Sequence, residues 1–193
     1  MNEINLKDSK KELRKEKIKA REALAEEDRI AYSADICRCI TETEEYRSAK
    51  VLFIYKWIKG EVRLDELERI AAADGKTLVY PLCTSKTEMI TVRPGPDEDA
   101  WTAGAFGIKE PDPARGVIVP PEDIDLVIAP CSSFDDKCRR LGMGGGYYDR
   151  YLPECVNAKV IAVAYEAQRA DEIPADEYDR PVDAVITEKK MYE

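Results

Sequence analysis

Lys50–Lys56 reads KVLFIYK, five apolar residues in succession between two lysines and too few for an ordinary helix. Four of the five are Val, Phe, Ile or Tyr, side chains that favour strands, and an uninterrupted apolar run belongs to a strand buried on both faces. Similar short runs lie at Thr77–Leu82, Glu88–Arg93, Asp125–Pro130, Lys159–Tyr165 and Ala184–Thr187. A helical stretch near Leu64–Ala73 separates the first two. Short two-faced strands alternating with helical segments predict a mainly parallel sheet covered by helices. The expectation is one α/β domain over residues 1–193.

Upstream of the first run the periodicity is helical. Ser9 with Glu12 three residues on has the form of a capping box, which predicts a helix from about Lys10 to Glu27. Leu13, Ala20 and Leu24, with the aliphatic stem of Lys17, would form its inner face. A second helix is expected over Asp28–Thr43, with Ala34, Cys37 and Ile40 inward. Residues 93–121 are rich in Pro and Gly and read as long loops at the sheet edge.

Composition narrows the chemistry. The chain has no histidine, which excludes Ser-His-Asp and Cys-His mechanisms and leaves zinc without imidazole donors. A metal here would be a hard cation on oxygen, magnesium first. Six scattered cysteines form no C-x-x-C pair, and the polar start MNEINLKDSKKELRKEK has no apolar signal segment. A cytoplasmic protein without membrane attachment is expected. The net charge of −9 opposes general nucleic-acid binding. Yet residues 7–21 carry eight basic side chains against three acids, a net of +5 that leaves −14 on the rest. A local positive patch on an acidic body suits a small polyanion.

Leu141–Asp149 (LGMGGGYYD) is the segment richest in chemistry. Glycines 142, 144, 145 and 146 lack Cβ atoms, so backbone amides can close around an anion. A helix beginning at Tyr147 would point further amides there. The segment is neither a Walker A loop nor a G-x-G-x-x-G fingerprint. A glycine loop of this kind is also, by itself, a flexible connection. Arg139 and Arg140 upstream and Tyr147, Tyr148 and Asp149 downstream favour phosphate binding. Lys10 and Lys11, placed in the first turn of the expected helix, would oppose its dipole unless an anion lay nearby, and Lys10 and Arg14 share a face. The alternative is a solvated basic helix. Among many carboxylates, Asp149 stands out beside the loop, Glu61 at the end of the first strand, and Asp179 before the last strand. Each alone also reads as surface decoration. Trp57 reads as a stacking platform or a core cap, and Cys131 as structural, with no basic neighbour.

Taken in order, these segments resemble the 5-formyltetrahydrofolate cyclo-ligase family, also called methenyltetrahydrofolate synthetase. The matching pieces are Lys10-Lys11-Glu12-Leu13-Arg14, Gly60-Glu61-Val62, Gly107-Ile108-Lys109-Glu110-Pro111, Phe134-Asp135, Arg140 to Arg150, Ala164-Tyr165 with Gln168, and Asp179 with Val182-Asp183. Gly145 stands where some members carry lysine, and Cys131 where glycine is more usual. The resemblance implies a three-layer α/β/α sandwich like those of sugar-phosphate isomerases and CoA transferases. It also implies ATP- and magnesium-dependent conversion of 5-formyltetrahydrofolate to 5,10-methenyltetrahydrofolate, releasing ADP and phosphate. ATP would be held by Lys10, Lys11, Arg14, Arg140, Leu141, Gly142, Met143, Gly144, Gly145, Gly146, Tyr147 and Tyr148. Folate would be met by Glu61 and Tyr147, with Lys56 and Met143, and magnesium by Asp149 and Asp179. Arg140 and Tyr147 would be the catalytic contacts. A monomer acting on small molecules alone is expected. A divergent, nucleotide-binding or regulatory member without turnover is the alternative, as is an enzyme acting on another phosphorylated molecule.

Overall fold

The computed structural model describes residues 3–58, 60–104, 108–174 and 181–193. In chain order these form α1 (Glu3–Glu22), α2 (Glu26–Glu42), α3 (Glu44–Ser48), β1 (Val51–Phe53), α4 (Asp65–Ala73), β2 (Thr77–Cys83), β3 (Met89–Arg93), β4 (Trp101–Ala103), β5 (Lys109–Pro111), β6 (Val117–Val119), β7 (Leu126–Pro130), β8 (Ser133–Phe134), β9 (Arg140–Leu141), α5 (Tyr147–Tyr151), β10 (Lys159–Val163), β11 (Ala184–Ile186) and β12 (Met191–Tyr192). The main sheet runs β12-β11-β10-β7-β1-β2-β3-β6. Its centre, β11-β10-β7-β1-β2, is parallel; β3 pairs antiparallel with both β2 and β6, and β12 antiparallel with β11.

The two-faced runs explain this centre. Leu52, Leu126, Ile128, Ile161, Val163, Ala184 and Ile186 point to one face, where Ile36 and Ile40 of α2 and Leu67 and Ala71 of α4 cover them. Their neighbours Phe53, Val127 and Ala129 point to the other face and meet Tyr151 and Cys155. Phe53 stacks on Tyr148 at 5.6 Å between ring centres and meets Tyr151 edge-on at 5.7 Å, seating α5 on the sheet. Each strand thus alternates sides with period two while burying its central residues on both faces. Two aspartates align the strand starts. Asp125 accepts from the amides of Lys50 and Val51, and Asp183 from that of Val160.

Three expectations need correction. The first helix begins at Glu3, so Ser9 and Glu12 lie within it and form no capping box. Lys10 and Lys11 are therefore in mid-helix, and their supposed opposition to the dipole disappears. The helix ends at Glu22, short of Glu27, and α2 starts at Glu26. In α2, Ser33 and Ile36 join Cys37 and Ile40 inside, whereas Ala34 is half-buried. Residues 93–121 hold more than loops, because β4 and β5 pair as a hairpin and β6 extends the main sheet beyond β3. Strands of three residues carry too little alternation to be seen in sequence.

Candidate active site

The chain leaves β1 toward β2 on one side and later returns on the other side as β7. The connections after β1 and β7 therefore diverge, opening a crevice at their carboxyl ends, where open α/β sheets bind ligands. Glu61, just beyond β1, is only 7% exposed. Its Oε2 accepts from the Ile58 amide at 3.1 Å, and its Oε1 lies 3.9 Å from Arg21 Nη1. Arg21, 2% exposed, heads the fully buried large side chains. It belongs to an inward stripe of α1, Lys10, Arg14, Lys17 and Arg21, at helical spacing. Sequence reasoning stopped at Lys10 and Arg14, although the same period reaches Arg21. Burial pushes the Glu61 carboxyl above its usual range, and the Ile58 amide and Arg21 only partly oppose this.

The glycine loop is held at both ends. Ser132 donates from its hydroxyl to Leu141 O at 2.7 Å, and its amide reaches the same oxygen. Gln168 Nε2 donates to the carbonyls of Cys131 and Ser132, tying the β10 exit to the β7 exit. Asp135 is buried and accepts from the amides of Lys137, Arg139 and Ile173 and from Arg139 Nε, closing the β8–β9 hairpin. Burial acts to raise its carboxyl, but these hydrogen bonds, that from Ile173 first, outweigh it and hold the group below the usual range. Within the loop, Gly144 and Gly146 have φ of +101° and +66°, conformations that side chains resist. Gly146 leads into α5, as expected from Tyr147 onward. At five residues α5 carries little dipole, so positive charge near the loop comes from arginines.

Arg14 supplies it from α1. Its Nε donates to Gly142 O at 2.8 Å, and its guanidinium faces Gly144. Burial lowers the Arg14 pKa, with Asp149 acting in the opposite sense. Arg140 comes from β9, with its side chain 3% exposed, and donates to Asp149 Oδ1 at 2.7 Å. Its guanidinium lies 5.5 Å from the Tyr148 ring centre. Arg140 Nε and Tyr148 Oη are buried without a hydrogen-bond partner among the described residues. A cavity of about 180 Å³ adjoins Arg140, lined also by Asp149, Leu152, Val160, Val182 and Asp183.

The other expected residues stand as follows. Lys56 is held by both oxygens of Glu68 at 2.7 Å and lies 4.8 Å from the ring centres of Tyr80 and Trp101. Tyr147 donates to Ser85 O at 3.0 Å, fixing α5 to the β2–β3 turn. Met143 is 49% exposed at the loop tip, and Lys11 is exposed on α1. Trp57 donates to Asp65 and carries the Arg63 guanidinium 4.5 Å from its ring centre. Cys131 is buried, and Arg140 and Arg21 both act on it, contrary to the expectation of no basic neighbour. Burial nevertheless dominates and pushes its thiol up to about 12. Asp179 and Gly107 lie outside the described residues. Asp149 is 40% exposed beside the loop, and no cluster of three Cys, Asp or Glu suited to a metal occurs among the described residues.

The chain is thus a mostly parallel α/β protein with an arginine-flanked glycine loop. The model of the 5-formyltetrahydrofolate cyclo-ligase family matches residues 6–188, and the chain belongs to that family. It is 32% identical over 142 residues to the 5-formyltetrahydrofolate cyclo-ligase of Haemophilus influenzae, covering 72% of this chain and 75% of that one. A probable 5-formyltetrahydrofolate cyclo-ligase of Schizosaccharomyces pombe is 30% identical over 173 residues, covering 82% and 85%. The structure is similar to the 5,10-methenyltetrahydrofolate synthetase of Aquifex aeolicus, with a TM-score of 0.83, 36% identity and coverage of 95% and 91%.

Proposed function

We propose that this chain is a 5-formyltetrahydrofolate cyclo-ligase that couples ATP cleavage to closure of the methenyl ring. The observation that carries the reading is the meeting of Arg14, from α1, with the glycine loop 128 residues later in the chain. In the proposed reaction the formyl oxygen attacks the γ-phosphorus of ATP, and ADP leaves. The neighbouring folate nitrogen then adds to the activated carbon, and phosphate departs. Arg14, Arg140 and Lys10 would neutralise charge on the transferring group, and the loop amides would orient it. No covalent nucleophile is required, which suits a chain without histidine. Glu61 and Tyr147 would face the folate.

Magnesium usually binds through one or two carboxylates together with substrate phosphates, rather than in an all-protein cage. Asp149, half-exposed at the loop, fits that pattern, and Asp179 is its proposed companion. The ion would supply charge neutralisation on the phosphates. The three-layer α/β/α kinship with sugar-phosphate isomerases and CoA transferases belongs to the same proposal. It is supported by helices α2 and α4 on one sheet face and α5 on the other. So do a cytoplasmic setting and a monomer acting without nucleic acid. Among the described residues no helix is long and apolar enough to cross a membrane. The test is methenyl absorbance from purified protein with ATP, magnesium and 5-formyltetrahydrofolate. Product should appear, vanish with EDTA and return with magnesium. Binding of both substrates without turnover would instead favour a divergent binding member.

A further inference from the structure

Ring closure has a proton to dispose of. The attacking folate nitrogen is a secondary amine with one hydrogen, and the methenyl product carries none there. When its lone pair forms the new C–N bond, the N–H proton must leave. Only then can that nitrogen's electrons make the amidinium as the C–O bond breaks and phosphate departs with its electron pair.

Resting on the cyclo-ligase reading above, we propose that the Glu61 carboxylate is the base that takes this proton. Two acids, Glu61 and Asp135, are buried among the described residues. Asp135 is occupied by three backbone amides and Arg139. Asp149 pairs with Arg140 on the phosphate side. Tyr55, Tyr148 and the Cys131 thiol are all pushed upward, chiefly by burial, and keep their protons near neutral pH. Glu61 lies in the segment that follows β1, buried beside Arg21 and the Ile58 amide. Its separation of 3.9 Å from Arg21 exceeds the roughly 2.7–2.9 Å of a charge-assisted hydrogen bond. Arg21 thus tempers the carboxylate without being hydrogen-bonded to that oxygen. Among the described residues, the groups around Glu61 are Arg21 from α1, Tyr55 beyond β1, Cys131 beyond β7 and Tyr148 from α5, with Tyr165 donating to the Glu61 backbone carbonyl. Arg21 is the only cation among these, and desolvation outweighs it, leaving a stronger base than an exposed glutamate.

The test is single-turnover rapid quench with ATP, magnesium and 5-formyltetrahydrofolate, reading ADP and methenyl product from the same samples. In Glu61→Gln, at saturating folate, methenyl formation should slow at least about 100-fold, far more than ADP formation does. The acid limb of ring closure, where Glu61 becomes protonated, should vanish in Glu61→Gln and persist in Glu61→Asp. An unchanged melting temperature and ATP shift would establish that the variants are folded. Equal slowing of ADP and methenyl would overturn the assignment. So would unchanged closure with only a raised folate KM, which would make Glu61 a binding group. If the unaltered protein forms neither product, the cyclo-ligase reading itself fails, a distinct result.

Discussion

Substituting Gly144 with alanine separates the loop's chemistry from its backbone strain. Gly144 has φ of +101°, so any side chain incurs strain of about 1–3 kcal/mol. The added Cβ would stand 3.5 Å from Arg14 Cζ and 3.6 Å from both terminal nitrogens. Those are ordinary contacts, so the free protein tolerates them, but they fill the space between Arg14 and the loop that a phosphate would occupy. Losing one charge-assisted contact costs about 1.5–3 kcal/mol, which weakens ATP roughly 10- to 150-fold. At an ATP concentration about 100 times the original Kd, the unaltered protein gains about 2.7 kcal/mol. That corresponds to about 5–11 °C in Tm for a domain of this size. In Gly144→Ala the gain should fall to about half or less. Gly75→Ala is the control, because its φ is +73° and nothing lies within 4 Å of the added Cβ. It shares the strain and should keep the full ATP shift. An undiminished shift in Gly144→Ala, or equal losses in both, would refute the loop's role in holding phosphate.

Lys10→Ala and Arg14→Ala should each raise the KM for ATP about 10-fold or more while leaving that for folate nearly unchanged, as steady-state kinetics would report. Asp149→Asn and Asp179→Asn should shift activity to higher magnesium concentrations, measured by titrating the metal at fixed ATP. Asp135→Asn would turn an amide donor toward the Ile173 N–H or Arg139, and denaturant unfolding at neutral pH should show a loss of about 3 kcal/mol. Because its folded pKa is lowered, Asp135 stabilises the protein above the unfolded value of about 3.9. That contribution disappears as pH falls through the folded value, so the variant should be less sensitive to acid than the parent over this window.

The central sheet was readable because its strands are uninterrupted apolar runs, buried on both faces. Strands β4 to β6 were not, since they lie in a Pro- and Gly-rich stretch that reads as loop. Ser9 and Glu12 show how a local motif misleads: their spacing imitates a cap, yet residues before them continue the helix. The glycine loop and Arg14 were visible as types and positions, but their contact depends on tertiary structure. Arg21 escaped because a lysine- and arginine-rich helix looks solvated, and only its period of three and four reveals an inward charge. Lys56 looked free to meet substrate, whereas Glu68, Tyr80 and Trp101 surround its ammonium group. Asp183, in the closing segment, is used by Lys159 and the Val160 amide.

The most direct measurement follows the formyl oxygen. 5-Formyltetrahydrofolate labelled with oxygen-18 in its formyl group would be turned over with unlabelled ATP and magnesium, and the released phosphate analysed by mass spectrometry. Activation at the loop by phosphoryl transfer predicts that the label passes into inorganic phosphate, one atom for each methenyl ring formed. Unlabelled phosphate accompanying methenyl product would contradict the account, because ATP would then be cleaved by water rather than by the substrate.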